Sequence, residues 1–288
     1  MNMNRKQTFT LVGAVLLTLG LYFGIPMAKP TKQKTESQAS GPQEAPLIEG
    51  YSTDTVLTLS KSRLTPTQLK QVTDLESKIP GDSTLKTQKM EAFHQLAHFW
   101  REDIRLFEPY IWYESEAARL ENSEKSLTFA AHLLLDNLQQ EGDENLRRWK
   151  AIQAKDLFER SLILNPKNDS ARVGLGGCYL FGSISAMPMV GIRQIREVVQ
   201  RDSAFVYGQM TLAKASLLSN QPDKAAERLT TIIRLQPNSL DAHLLLAEVR
   251  EQQGDKSGAR ALYQTCLKLT ELKELKKALE ERIQELSK

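Results

Sequence analysis

Apolar residues along most of this chain recur every three or four positions, the spacing that lines up one face of an α-helix. Between residues 85 and 107, Met90, Phe93, Leu96, Ala97, Trp100, Ile104 and Phe107 fall on one broad stripe, which predicts a single long helix. Ahead of it, Thr65-Pro66-Thr67-Gln68 supplies a cap, a first-turn proline and a reciprocating glutamine. A helix is expected from there to about Ile79, before Pro80-Gly81. Pro109 opens another, carrying Ile111, Tyr113, Ala117, Ala118 and Leu120. Asn122-Ser123 caps a helix over about 124–140, which Gly142-Asp143 breaks, and the next runs over about 145–164 to Asn165-Pro166. Leu272, Leu275, Leu279, Ile283 and Leu286 give 271–288 one apolar side against dense mixed charge. Thr55–Leu59 alternates too briefly for a strand and is expected to be irregular. With no other β pattern, the chain reads as all-α.

The second half also repeats itself. Leu212-Ala213 returns 34 residues later as Leu246-Ala247, Ala225 as Ala259, Leu229 as Tyr263, Ile232 as Cys266 and Leu235 as Leu269. Ala154, Phe158, Leu164 and Pro166 reappear 71 residues on as Ala225, Leu229, Leu235 and Pro237, two periods plus a three-residue insert. A fixed period of this length marks stacked helical pairs, each too small to bury its own apolar face. Small residues at 176, 213 and 247 are expected where two helices cross closely.

Leu175-Gly176-Gly-Cys-Tyr179 is similar to the Leu-Gly-x-x-Tyr element of a tetratricopeptide (TPR) first helix. Ala154, Phe158 and Pro166, then Ala225, Leu229 and Pro237, then Ala259 and Tyr263, resemble its second-helix pattern. The resemblance implies a right-handed α-solenoid with units at about 124–168, 169–205, 206–239 and 240–270, closed by a capping helix over 271–288. Residues 51–123 match only as helical pairs, a divergent repeat or a separate helical region. First helices of such repeats line a groove. That implication selects Ser170, Val173, Gly177, Leu180 and Phe181, then Tyr207, Met210, Lys214, Leu217 and Leu218, then Asp241, Leu244, Glu248, Glu251 and Gln252. The groove is thus expected to be apolar in the middle and acidic toward its C-terminal end, suiting a hydrophobic segment with basic residues. A carboxylate-clamp ligand is disfavoured, since Val173, Gly177 and Thr211 stand at the corresponding places. Gly177 either admits a ligand backbone or serves a tight helix crossing. The insert Ile184–Val190 is a partner-contact edge or folds back onto the stack.

One stretch breaks the amphipathic pattern. Residues 9–28, Phe9 to Ala28, carry no charge and follow Arg5 and Lys6. At about 1.5 Å per residue they cover a bilayer core of about 30 Å. A cleaved signal peptide is the competing reading, but Pro26-Met27-Ala28 fits a small-residue cleavage site poorly. A short tail (1–8) and an uncleaved transmembrane anchor are expected, with Gly20 and Gly24 at helix-pairing spacing. Arg5 and Lys6 against Lys29, Lys32 and Lys34 leave orientation nearly balanced. Similarity to bacterial signal anchors favours an inner-membrane protein with its folded part in the periplasm; cytoplasmic exposure is the alternative. Residues 29–50 read as a flexible linker, about 25 Å across as a coil.

The 38 basic and 35 acidic residues give +3, but much of the excess lies in residues 1–50. The remainder is near neutral with no basic face, which excludes a nucleic-acid binder. Cys178 and Cys266 lie in different repeats and read as separate core thiols. His94, His98 and Glu102 have metal-like spacing at the border of the apolar stripe, where such residues usually just solvate a helix. No phosphate loop, nucleophile elbow or Cys/His pair is present, so no catalytic residue, metal or cofactor is assigned. The expected function is a membrane-tethered scaffold binding a protein segment in an envelope complex. A chaperone or assembly factor for exported proteins is the alternative, and a metal-dependent enzyme using His94 and His98 a distant one.

Overall fold

Side-chain caps set most of the helix starts. Ser52, Thr65, Ser123, Asp143, Asn168, Ser239 and Asp255 each accept a backbone N–H from the first turn that follows, and Thr65–Gln68 closes both arms of a capping box. The computed structural model describes residues 47–82 and 84–287, so the expected span 9–28 and most of the expected linker lie outside the described residues. Among the described residues are thirteen α-helices and no strand. They are α1 (Thr53–Lys61), α2 (Pro66–Glu76), α3 (Lys86–His98), α4 (Phe107–Glu121), α5 (Glu124–Leu138), α6 (Glu144–Leu164), α7 (Asp169–Phe181), α8 (Met189–Arg201), α9 (Val206–Leu218), α10 (Pro222–Leu235), α11 (Leu240–Gln252), α12 (Lys256–Leu269) and α13 (Lys273–Glu285). No helix among the described residues is long and apolar enough to cross a membrane.

From α5 onward the helices pack as successive hairpins, α5/α6, α7/α8, α9/α10 and α11/α12, each leaning on the next. Repeat-related residues occupy equivalent places. Ala154, Ala225 and Ala259 are all fully buried, as are Ala213 and Ala247. Ala225 packs with Ala213, Leu229, Ile232 and Leu246 of the following hairpin. Ala259 packs with Ala247, Tyr263, Cys266 and Leu279 of α13, which takes the place of a next unit. Burying each Phe158- or Leu229-type side chain contributes roughly 2–3 kcal/mol, so the stack gains stability unit by unit. The glycines of α7 serve this packing. A Cβ on Gly176 would stand 2.8 Å from the Gly191 carbonyl oxygen, and one on Gly174 would stand 2.2 Å from the Phe158 ring.

Four expectations need correction. Thr55–Leu59 is helical: Ser52 caps it, and Val56 and Ser60, one turn apart, are both buried. The long helix over 85–107 stops at His98, continues as a π-turn over Phe99–Ile104 and ends at Arg105 in the left-handed region (φ 62°). The wider turn lets two consecutive aromatics face inward, Phe99 and Trp100, edge to face at 5.7 Å. The chain also joins the fold before the expected end of the linker. Ile48 donates its N–H to the Ile184 carbonyl at 2.8 Å, and Gly50 lies so close to α6 that a Cβ would meet the Asn145 carbonyl at 2.2 Å. Finally, the 184–190 insert divides. Ile184 is fully buried, whereas Met187 and Met189 are exposed.

Candidate functional site

A cleft of about 670 Å³ opens along the first helices of the four hairpins. Leu138 of α5, Leu180 and Phe181 of α7, Leu217 and Leu218 of α9 and Leu245 of α11 form its apolar surface. Leu138 is fully buried at the floor, while Leu218 is 71% exposed at the rim. Gln139, Ser183, Arg147 and Lys214 supply its polar edge. Lys214 reaches from α9 to the end of α5, its Nζ donating to Gln139 Oε1 at 2.9 Å. Arg147 donates through Nε to the Glu141 carbonyl at 3.0 Å. Neither cation forms an ion pair among the described residues, so both charges stay uncompensated beside the cleft.

Of the groove positions expected from sequence, Leu180, Phe181, Lys214, Leu217 and Leu218 line this cleft. Two are core residues instead. Val173 is fully buried with Ile195, Val198 and Leu212, because its face of α7 meets α8 and α9. Gly177 is buried against α5, where a Cβ would meet Leu135 Cδ2 at 3.1 Å, so it serves helix packing and admits no ligand backbone. Tyr207 is partly buried against α5 and does not line this cleft. Its ring stands edge to face with His132 at 5.2 Å, and His132 meets Phe158 at 5.0 Å and shares a hydrogen bond with Ser170 Oγ at 2.8 Å. Burial pushes the His132 imidazole below its ordinary pKa despite the opposing Asp136 charge, leaving it neutral. Burial also raises the Tyr207 phenol. Met210 packs beside the Ala213–Ala225 core and Leu244 beside the Ala247–Ala259 core.

The acidic end differs from expectation. Glu248, Glu251 and Gln252 border a separate recess of about 420 Å³ with Tyr263 and Arg282. Glu251 accepts hydrogen bonds from the Arg282 guanidinium and, at 3.1 Å, from the Tyr263 hydroxyl. Burial raises the Glu248 carboxyl. The Glu251 charge is thus paired within the fold. Sequence reasoning missed Leu138, Gln139, Arg147, Ser183 and Leu245; the first three lie on the first unit, for which no groove positions were assigned. His94 and His98 are both exposed, with His94 Nδ1 3.5 Å from Glu114 Oε2, while the π-turn sets Glu102 against Arg101 at 2.7 Å. No group of three or more metal-ligating side chains forms among the described residues. Both cysteines are buried and free; burial raises each thiol, Cys266 to about 11.

Residues 210–271 match the tetratricopeptide repeat family. No curated protein matches the sequence. Among solved structures, the chain is similar to TTC0263, a thermophilic TPR protein in Thermus thermophilus, with a TM-score of 0.50 and 13% identity over 69% of this chain and 98% of that one. PilF of Pseudomonas aeruginosa aligns with a TM-score of 0.45 and 15% identity over 70% of this chain and 86% of that one. MamA from Desulfovibrio magneticus RS-1 aligns with a TM-score of 0.41 and 17% identity over 62% and 94%. The repeat match over 210–271 and the likeness to TTC0263 make the stacked hairpins a tetratricopeptide-type fold. Such solenoids generally work by presenting an extended surface to other proteins.

Proposed function

We propose that this protein is a membrane-tethered, non-enzymatic scaffold that captures a segment of a partner protein in an envelope complex. The observation that carries this reading is the cleft itself: four successive first helices supply one continuous apolar surface, bordered by two unpaired cations. A fitting segment brings apolar side chains for Leu180, Leu217 and Leu218 and a carboxylate for Lys214 or Arg147. Tethering rests on the uncharged stretch Phe9–Ala28, and placement of the folded part in the periplasm rests on its likeness to signal anchors.

The test uses the full chain in its native membrane, with a photocrosslinking residue at Gln139 on the cleft edge. One stoichiometric partner, lost on Lys214→Glu or Leu218→Glu, supports the reading. Truncating a contact that anchors an interface typically costs about 2 kcal/mol or more, so capture should fall by over tenfold. Unchanged capture in both variants refutes the cleft. Crosslinks to many unfolded exported chains replace the scaffold with a chaperone.

A further inference from the structure

Four exposed large apolar residues gather where the chain enters the fold. Leu47 and Ile48 are each 39% exposed, Met187 43% and Met189 58%. The hydrogen bond from Ile48 N–H to the Ile184 carbonyl holds both pairs at one edge of the stack. α8 starts at this edge, and its solvent side carries Met189, Ile192, Arg193, Arg196, Glu197 and Gln200, spaced as one helical face around a shallow recess of about 380 Å³. Arg193 and Arg196 form no ion pair among the described residues. Nor does Arg228 of α10, whose half-buried guanidinium donates to Gln209 Oε1 at 2.8 Å. Burial, and then the like charge of Arg196, depress the Arg228 pKa against the opposing charge of Glu227, which places Arg196 and Arg228 within reach of one another.

We propose that this edge docks on an anionic phospholipid bilayer, with the methionines entering the interface and Arg193, Arg196 and Arg228 meeting lipid phosphates. Exposed apolar side chains beside unpaired arginines on an amphipathic helix are the composition that binds such surfaces. Chain length supports the same occupant. If residues 9–28 span the membrane, residues 29–46 reach at most about 60 Å even fully extended, and they end on this edge. On the tethering reading, this edge is where the tether joins the fold. The proposal rests on the tethering reading for proximity but not for chemistry, and it leaves the cleft on α5, α7, α9 and α11 free for a partner.

The experiment places an environment-sensitive fluorophore on Met189→Cys in the full chain, in bilayers of phosphatidylcholine alone or mixed with phosphatidylglycerol. A blue shift with phosphatidylglycerol only is expected. Each basic residue near an anionic surface is worth about a fivefold gain, so Arg193→Gln with Arg196→Gln should lower the docked-to-undocked ratio about 25-fold. Circular dichroism controls for folding, since both side chains point to solvent. A chain that floats with membranes yet keeps its probe in water in both lipids overturns the docking while the tether stands. A chain that does not float overturns the tether; adding vesicles to it then decides the docking by whether phosphatidylglycerol shifts the probe. A shift produced equally by inorganic phosphate or an acidic peptide without vesicles overturns the lipid assignment.

Discussion

Replacing Lys150 tests how the first hairpin is held to α4. This ammonium is 1% exposed, yet it contacts Glu141 Oε2 at 2.6 Å, Asn137 Oδ1 at 2.7 Å and Glu108 Oε1 at 2.9 Å, with the Phe107 ring centroid 5.5 Å away. Lys150→Met keeps most of the buried stem and removes the charge. Breaking one partner of a buried pair costs about 3–5 kcal/mol; because Glu108 and Glu141 keep some contact with water, with side chains 19% and 17% exposed, the lower end applies, about 3 kcal/mol. Lys150→Ala also strips the stem at about 0.8 kcal/mol per methylene, for a total near 5 kcal/mol. Urea unfolding followed by tryptophan fluorescence reads the difference, with a midpoint shift above about 1 M for the alanine variant. Acid sharpens the test. Burial pushes the Glu141 carboxyl up, but hydrogen bonds from Lys150 and from the Asp143 and Gly142 backbone more than offset it, so its folded pKa is lowered. A lowered carboxylate stabilises above its unfolded pKa and loses that contribution as pH falls through the folded value. The gap between wild type and Lys150→Met should therefore narrow on acidification below the ordinary carboxylate range. A gap under about 1 kcal/mol at neutral pH, or one that stays constant into strong acid, refutes the account.

His132 gives a second pH prediction of opposite origin. Its folded pKa is lowered, so the unfolded chain binds a proton more readily, and stability should fall as pH drops below about 6.5; His132→Phe should remove that part of the slope in denaturation curves measured on both sides of neutrality. The glycines of α7 should separate. Gly174→Ala drives a Cβ into the Phe158 ring and is expected to cost about 1–3 kcal/mol. Gly177→Ala meets only the end of Leu135 and gains about 1 kcal/mol of helix propensity, so its thermal midpoint should stay near wild type. Equal losses in both would refute the distinction.

The stack was legible because its cause is local. Each hairpin exposes one apolar stripe, and Ala225, Ala259, Leu229 and Tyr263 carry the repeat at positions where neighbouring units meet. α1 was missed because nine residues hold only one inward pair, Val56 and Ser60; the signal that could have found it was Ser52 at capping distance from Thr55. The π-turn at Phe99–Ile104 was invisible to a projection that assumes a constant 100° per residue. Site positions carried over by likeness failed where this chain packs its own way: Val173 meets α8 because Gly176 and Gly191 draw α7 and α8 together.

Charge in the cleft was the least legible property, since it depends on partners far along the chain. Counting residues gives an acidic end at Glu248 and Glu251 and a single cation, Lys214. In the fold the balance shifts. Arg282, 31 residues beyond Glu251, comes from α13 to pair with it, and Glu248 is pushed toward its neutral form by burial. Lys214 and Arg147 instead donate to an amide oxygen and a backbone carbonyl, neutral acceptors that satisfy their N–H groups without cancelling their charge. α13 thus does more than cover the last apolar face. By pairing Glu251, it removes an anion while Lys214 and Arg147 keep their charges, and the preference this implies for an acid-bearing partner follows from inter-helix pairing rather than from composition.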